Sequence, residues 1–110
     1  MKIAFPTNEK KGLESKIAFH FGRAKFFLIF DTKKRDFQIL KNPEVFGGEK
    51  LPPDFLKDHK IEAVVVFGLG QKAVEKFKNY KIEMFKAEEG TIKENLEKFE
   101  NKELKKLLKK

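Results

Sequence analysis

Two short segments carry the residue types that could do chemistry. In His20-Phe21-Gly22-Arg23-Ala24 an imidazole and a guanidinium stand three residues apart. Such a pair can converge on one anion or one metal-bound ligand, and Gly22 permits close backbone approach. His20 is the metal-ligand candidate. Lys10, Lys11, Lys16 and Lys25 flank the segment and would make its surroundings positive. The second segment, Gly68-Leu69-Gly70-Gln71-Lys72-Ala73, matches G-x-G-x-x-A. Glycines there let the amides of Gly68 to Gln71 approach a phosphate or another anion at a helix start. With Glu88 downstream, the pattern also fits the dinucleotide fingerprint, but a dinucleotide needs more parallel strands than this chain can supply. The plainer alternatives are a glycine turn, a surface histidine and solvated lysines.

Composition narrows the chemistry. A chain of 110 residues suits a single domain over 1–110, and its thirteen Phe supply material for one core. With no Cys, a disulfide framework, a Cys-type zinc site, an all-Cys iron–sulfur cluster and a thiol nucleophile are all excluded. The net charge of +8 comes from 25 Lys and Arg against 17 Asp and Glu, a Lys- and Glu-rich mixture typical of thermophile surfaces. A basic domain attracts polyanions, which keeps nucleotide or nucleic-acid binding as the second reading. No recognition helix, zinc finger or aromatic RNA-binding motif supports it. No apolar run reaches signal-peptide or membrane length, so the expectation is a cytoplasmic protein without a membrane partner.

The pattern of elements must position these segments. Lys2 to Phe5 reads as a strand stopped by Pro6. Phe26 to Asp31 is a buried strand, and Asp36 to Lys41 alternates like a half-exposed one, so the short turn between them implies an antiparallel hairpin. Residues 42 to 53 read as loop, with Gly47-Gly48 and Pro52-Pro53 as breakers. A short helix follows over Asp54 to His59, then a central strand around Ala63 to Phe67. The glycine turn opens a helix with Ala73, Val74 and Phe77 on one side, and Ile82 to Phe85 is the last strand. Thr91 and Glu94 form a capping box, and Ile92, Leu96 and Phe99 make a helical stripe. Leu104 breaks the phase, so Asn101 is read as the start of a separate helical piece. The order predicts an α/β fold: a mixed sheet of about five strands, with a leading antiparallel hairpin and then parallel βαβ units, and helices packed on it.

Met1-Lys2-Ile3-Ala4-Phe5-Pro6-Thr7-Asn8, Gly12-Leu13-Glu14-Ser15-Lys16 and His20-Phe21-Gly22-Arg23-Ala24 together resemble the dinitrogenase iron–molybdenum cofactor biosynthesis family, in its NifX-like and NifB C-terminal-like domains. Gly68 to Ala73, Lys81 to Phe85 and Gly90 to Ile92 fall where that family carries its glycine turn, last strand and final helix. The resemblance spans about residues 1–99 and leaves 99–110 as an extra helical tail. It implies a ribonuclease H-like sheet and a non-catalytic role in binding or carrying an anionic iron–sulfur or iron–molybdenum cofactor. Cofactor-assembly proteins would be its partners. By position it makes His20 the ligand candidate, with Gly22 and Arg23 shaping the site. Gly47 and Gly48 would form a second loop, and Gly68 and Gly70, with Gln71, a third wall. Lacking Cys, the chain would hold a cluster only weakly. No catalytic residue is assigned: a nuclease of this fold needs several strand-borne carboxylates, and Lys2 to Phe5 has none.

Overall fold

A computed structural model describes residues 1–107. Its five strands are β1 (Lys2–Thr7), β2 (Phe26–Asp31), β3 (Asp36–Lys41), β4 (Ala63–Val66) and β5 (Glu83–Lys86), in the spatial order β3-β2-β1-β4-β5. β1 is antiparallel to β2, from Lys2 opposite Asp31 to Thr7 opposite Phe26, and β2 forms the expected hairpin with β3. On its other side β1 pairs in parallel with β4, which pairs in parallel with β5. The sheet is therefore mixed, as the element order required, because connections long enough for a helix permit parallel pairing and the tight turn does not.

Apolar runs such as Phe26 to Phe30 are continuous, not alternating, because both sheet faces are covered. One face buries Ile3, Phe5, Leu28, Phe30, Ala63 and Val65 beneath Ile92 and Leu96 of α4 (Ile92–Glu100). The other buries Ala4, Phe27, Ile29, Val64 and Val66 against Leu56 of α2 (Pro52–Asp58) and Phe77 of α3 (Gln71–Asn79). The capping box of α4 forms as read: the Thr91 hydroxyl accepts from the Glu94 amide at 3.1 Å, and Glu94 accepts from the Thr91 amide at 2.9 Å.

Three local readings need correction. Pro6 lies inside β1. Its carbonyl faces away from β2 and accepts from the Ala18 amide at 2.8 Å, on the side where pairing with β4 has already ended at Ala4. The missing N–H thus removes no ladder bond. The stretch read as loop contains a helical turn, α1 (Pro43–Phe46), and α2 begins at Pro52, with the prolines in its first turn. Proline is tolerated there because those amides have no intrahelical acceptor. Finally, residues 101 to 107 are not a helical tail. The chain turns at Asn101 and Lys102. Lys86 then donates its amide to the Lys105 carbonyl at 2.8 Å and Leu107 donates to the Met84 carbonyl at 3.0 Å, so residues 105 to 107 run antiparallel along the free edge of β5. Leu104 is buried on the α4 face. The open main-chain edge of β5 and an apolar slot for one leucine win over helical propensity that the broken stripe cannot use. The part of the expected tail beyond Leu107 lies outside the described residues.

Leu104→Ala should cost about 2–3 kcal/mol in urea-induced unfolding, the lower part of the range for truncating a buried leucine. A cost below about 0.5 kcal/mol, ordinary for an exposed site, would mean that this segment does not dock.

Candidate functional site

The loop between β1 and β2 is pinned at several points. The Thr7 hydroxyl donates to the Lys16 carbonyl at 2.7 Å, and the Lys25 amide donates to Asn8 Oδ1 at 2.9 Å. Phe21 is buried and packs on Phe27 and Phe77 at centroid distances of 5.2 and 5.7 Å. With that ring driven into the α3 side of the core, its neighbours His20 and Arg23 are exposed. Phe19 lies 61% exposed, yet stacks on Phe67 at the end of β4, 4.6 Å between centroids. This contact joins the residues that immediately precede the two segments singled out in the sequence.

Gly68 to Gly70 join β4 to α3, and Gly70 is the N-cap residue of α3. No side chain caps the helix and no acid lies in its first turn, so the leading amides face outward unneutralised. Neither Gly68 nor Gly70 has a left-handed φ, and a Cβ built on either meets no atom within 4 Å. Neither backbone strain nor packing demands glycine at these two positions; what their bareness preserves is open space in front of the helix end.

These walls enclose a cleft of about 620 Å3, the size range of small-ligand sites. Phe19, His20, Gly22 and Arg23 form one side and Gly68, Leu69, Gly70, Lys72, Ala73 and Lys76 the other, with Glu44, Leu51, Pro52 and Pro53 completing it. Five of the expected site residues, His20, Gly22, Arg23, Gly68 and Gly70, thus meet around one space. Gln71 is exposed, with its side-chain amide near Glu75, and is not among the lining residues. Gly47 and Gly48 do not line the cleft either. Gly47, at φ +86, is the C-cap of α1, and a Cβ on Gly48 would lie 2.5 Å from Pro43 Cβ, so both glycines are accounted for by the turn that ends the helix. Glu88, the acid of the dinucleotide fingerprint, is ion-paired with Lys98 and is not part of this cleft.

The floor is largely apolar and the rim is cationic. Arg23 and Lys72 form no salt bridge among the described residues. Lys76 is tied to Asp54 of α2 at 2.6 Å, and the Tyr80 hydroxyl donates to the same carboxylate. The Lys76 ammonium, and secondly the Tyr80 hydroxyl, hold the Asp54 carboxyl below its ordinary 3.8, and Asp54 in turn raises Lys76. Lys76 is therefore partly neutralised in place, and Arg23 and Lys72 are the free cations, with Glu44 opposing them. Among the described residues no group of three or more His, Cys, Asp or Glu side chains is placed to hold a metal ion. The sequence reading missed Phe19, Glu44, Leu51, Lys72 and Lys76. Lys72 could have been found from its place in the first turn of α3, and Glu44 from the Asn42-Pro43 helix-start signature.

The fold and the cleft define a class: small α/β proteins with a mixed five-stranded sheet and a basic-rimmed cleft where the parallel strands end. The chain belongs to the dinitrogenase iron-molybdenum cofactor family, which it matches over residues 1–102, and this membership ties it to the handling of that cofactor. Similar solved structures include a candidate NifB protein from Thermotoga, at 24% identity and a TM-score of 0.84, covering 99% of this chain and 95% of that one. The apo form of the orange protein from Desulfovibrio gigas matches at 17% identity and a TM-score of 0.83, over 96% and 91% of the two chains. A candidate dinitrogenase from Methanocaldococcus jannaschii matches at 22% identity and a TM-score of 0.75, over 100% and 97%. At these identities the likeness is one of fold. Among curated proteins no sequence match is found.

Asp54 has a lowered folded-state pKa, so its contribution is present above the ordinary carboxylate value and is lost as pH falls through the folded one. Asp54→Asn should lower the melting temperature at pH 7, and the gap from the parent should close as pH falls below the ordinary carboxylate value and through the lowered folded one. A gap independent of pH would show that the ion pair is not what couples α2 to α3.

Proposed function

We propose that this chain is a non-catalytic carrier that seats an anionic metallocluster of the iron–sulfur or iron–molybdenum type in the cleft between His20–Arg23 and Gly68–Gly70. The observation that carries the reading is the pair of glycines that the fold does not need. Their missing side chains leave the uncapped start of α3 accessible to a ligand, beside two cations that form no salt bridge among the described residues. A bulky anion would gain hydrogen bonds from the leading amides, charge complementarity from Arg23 and Lys72, and an apolar floor that excludes water from its less polar faces.

The donor set favours cargo over a resident metal centre. With no Cys and one His at the cleft, the cluster keeps its own sulfide or exogenous ligands, His20 supplies at most one bond, and the rest of the hold is electrostatic. Weak holding suits a carrier, which must release what it binds. The reading implies cofactor-assembly proteins as donor and acceptor, and a cytoplasmic location. No helix among the described residues is long and apolar enough to cross a membrane.

The test is an anaerobic titration with tetrathiomolybdate as an anionic metal–sulfur probe, alongside reconstitution with ferrous iron and sulfide, both followed by absorption. Arg23→Gln should weaken probe binding several-fold, and Gly68→Val by about tenfold or more, while Gly68→Val leaves unfolding within about 0.5 kcal/mol of the parent. His20→Ala should alter the charge-transfer bands if the imidazole is a ligand and leave them unchanged if it only lines the cleft. Absence of binding in both experiments, or binding indifferent to Gly68→Val, would dismiss the carrier reading. A nucleoside triphosphate that binds where tetrathiomolybdate does not would replace it with nucleotide recognition.

A further inference from the structure

We propose that Asn42 is the positioning residue of the cleft, its buried carboxamide locking the wall that carries His20 and Arg23 to the wall that carries Glu44. The proposal rests on the reading of this cleft as the binding site. Asn42 is 0% exposed. Its Nδ2 donates to the carbonyls of Gly22 at 3.1 Å and Ala24 at 2.9 Å, and its Oδ1 accepts from the Glu44 amide at 3.0 Å. Its own amide donates to the Lys25 carbonyl at 2.9 Å, and its carbonyl accepts from the amides of Val45 and Phe46. One side chain thus caps α1 and closes a turn in a loop twenty residues earlier in the chain.

The placement of these bonds matters more than their number. The two clamped carbonyls lie on either side of Arg23, and the Ala24 amide closes back on Phe21 at 3.3 Å. Fixing those carbonyls sets the backbone direction from which the Arg23 side chain leaves, while the Oδ1 bond fixes the start of the turn that presents Glu44. Arg23, a cation of the cleft with no salt bridge among the described residues, and Glu44, an acid that lines the cleft, therefore share one anchor. No other side-chain type supplies two donors and one acceptor in this volume: Asp would aim carboxylate oxygens at two carbonyls, and Ser would keep the cap but lose the clamp.

The molecule contains its own control. Asn95 on α4 is 1% exposed and makes an equivalent set of bonds, donating to the carbonyls of Glu88 and Thr91 and accepting from the Glu88 amide. Its partners lie away from the cleft. Both asparagines stabilise a loop against a helix start, but only Asn42 does so with residues that line the site.

The experiment compares Asn42→Asp, Asn42→Ser and Asn95→Asp by amide hydrogen exchange without ligand and by tetrathiomolybdate titration, each at pH 8 and pH 5. In Asn42→Asp at pH 8 the Ala24 and Lys25 amides should exchange about tenfold faster than in the parent, and the probe should bind about fivefold more weakly. At pH 5 the new buried carboxyl takes up a proton, can donate to one of the two carbonyls, and should recover part of both losses. The charged or titratable groups on the segments bonded to Asn42 are His20, Arg23 and Lys25 on the loop, Lys41 on β3 and Glu44 on α1. Asn42→Ser adds no carboxyl, so it reports any titration of theirs and should be impaired equally at both pH values. Asn95→Asp should leave the Ala24 and Lys25 amides, and probe binding, within about twofold of the parent. Parent-like exchange at Ala24 and Lys25 in both Asn42 variants, or equal loss of probe binding in Asn95→Asp, would overturn the proposal. If the parent binds neither the probe nor a reconstituted iron–sulfur cluster, the carrier reading fails, and the ligand-free exchange still decides whether Asn42 holds this wall.

Discussion

The parallel pairing of β1 with β4 is the constraint on which the cleft depends. Parallel neighbours send their carboxyl ends in the same direction, so the loop leaving β1 and the glycine turn leaving β4 emerge at one edge of the sheet although more than forty residues separate them. β1 is also the strand at which the sheet changes sense, antiparallel to β2 and parallel to β4. Crevices open at such switch points because the connections on either side diverge. Here the divergence is filled from below by Phe21, Phe27 and Phe77, and what remains above them is the cleft.

The cleft's electrostatics follow from how few of its charges are matched. The surface elsewhere is laced with ion pairs, such as those of Arg35 with Glu100 and of Lys98 with Glu88, and these lie on the side of α4. Among the described residues, Lys76 is the one cation of the cleft in a salt bridge with a carboxylate. The start of α3 adds partial positive charge that no cap side chain satisfies. The +8 of the whole chain therefore says little by itself, whereas the local imbalance on one apolar-floored cleft has a direction and an address.

Glycine plays two physically different roles that a sequence pattern merges. Gly47 has a left-handed backbone and Gly48 is pressed against Pro43, so both serve the turn after α1. Gly68 and Gly70 are in ordinary backbone regions with empty space beside them. On paper the pairs look alike, and both could be assigned to a ligand. Only the second pair meets the cleft.

Much of this protein was legible in residue order alone. The hairpin, the buried central strand, the capping box of α4 and the helix after the glycine turn are local signals: periodicity, cap chemistry and turn length act over a few residues and survive into the fold. The convergence of His20 and Arg23 with the glycine turn was inferable once the strands alternated with helices, because that alternation leaves few sheet orders open. What only the tertiary structure decided depends on long-range partners. The path of residues 105 to 107 requires the vacant edge of β5; Pro6 sits in a strand because the pairing on its bare side has already ended; and Asn42, which reads as the start of a loop, becomes a clamp only when the chain from 22 to 24 is folded against it. A side chain's hydrogen-bond capacity is written in its type, but the groups it satisfies are set by elements far away in sequence.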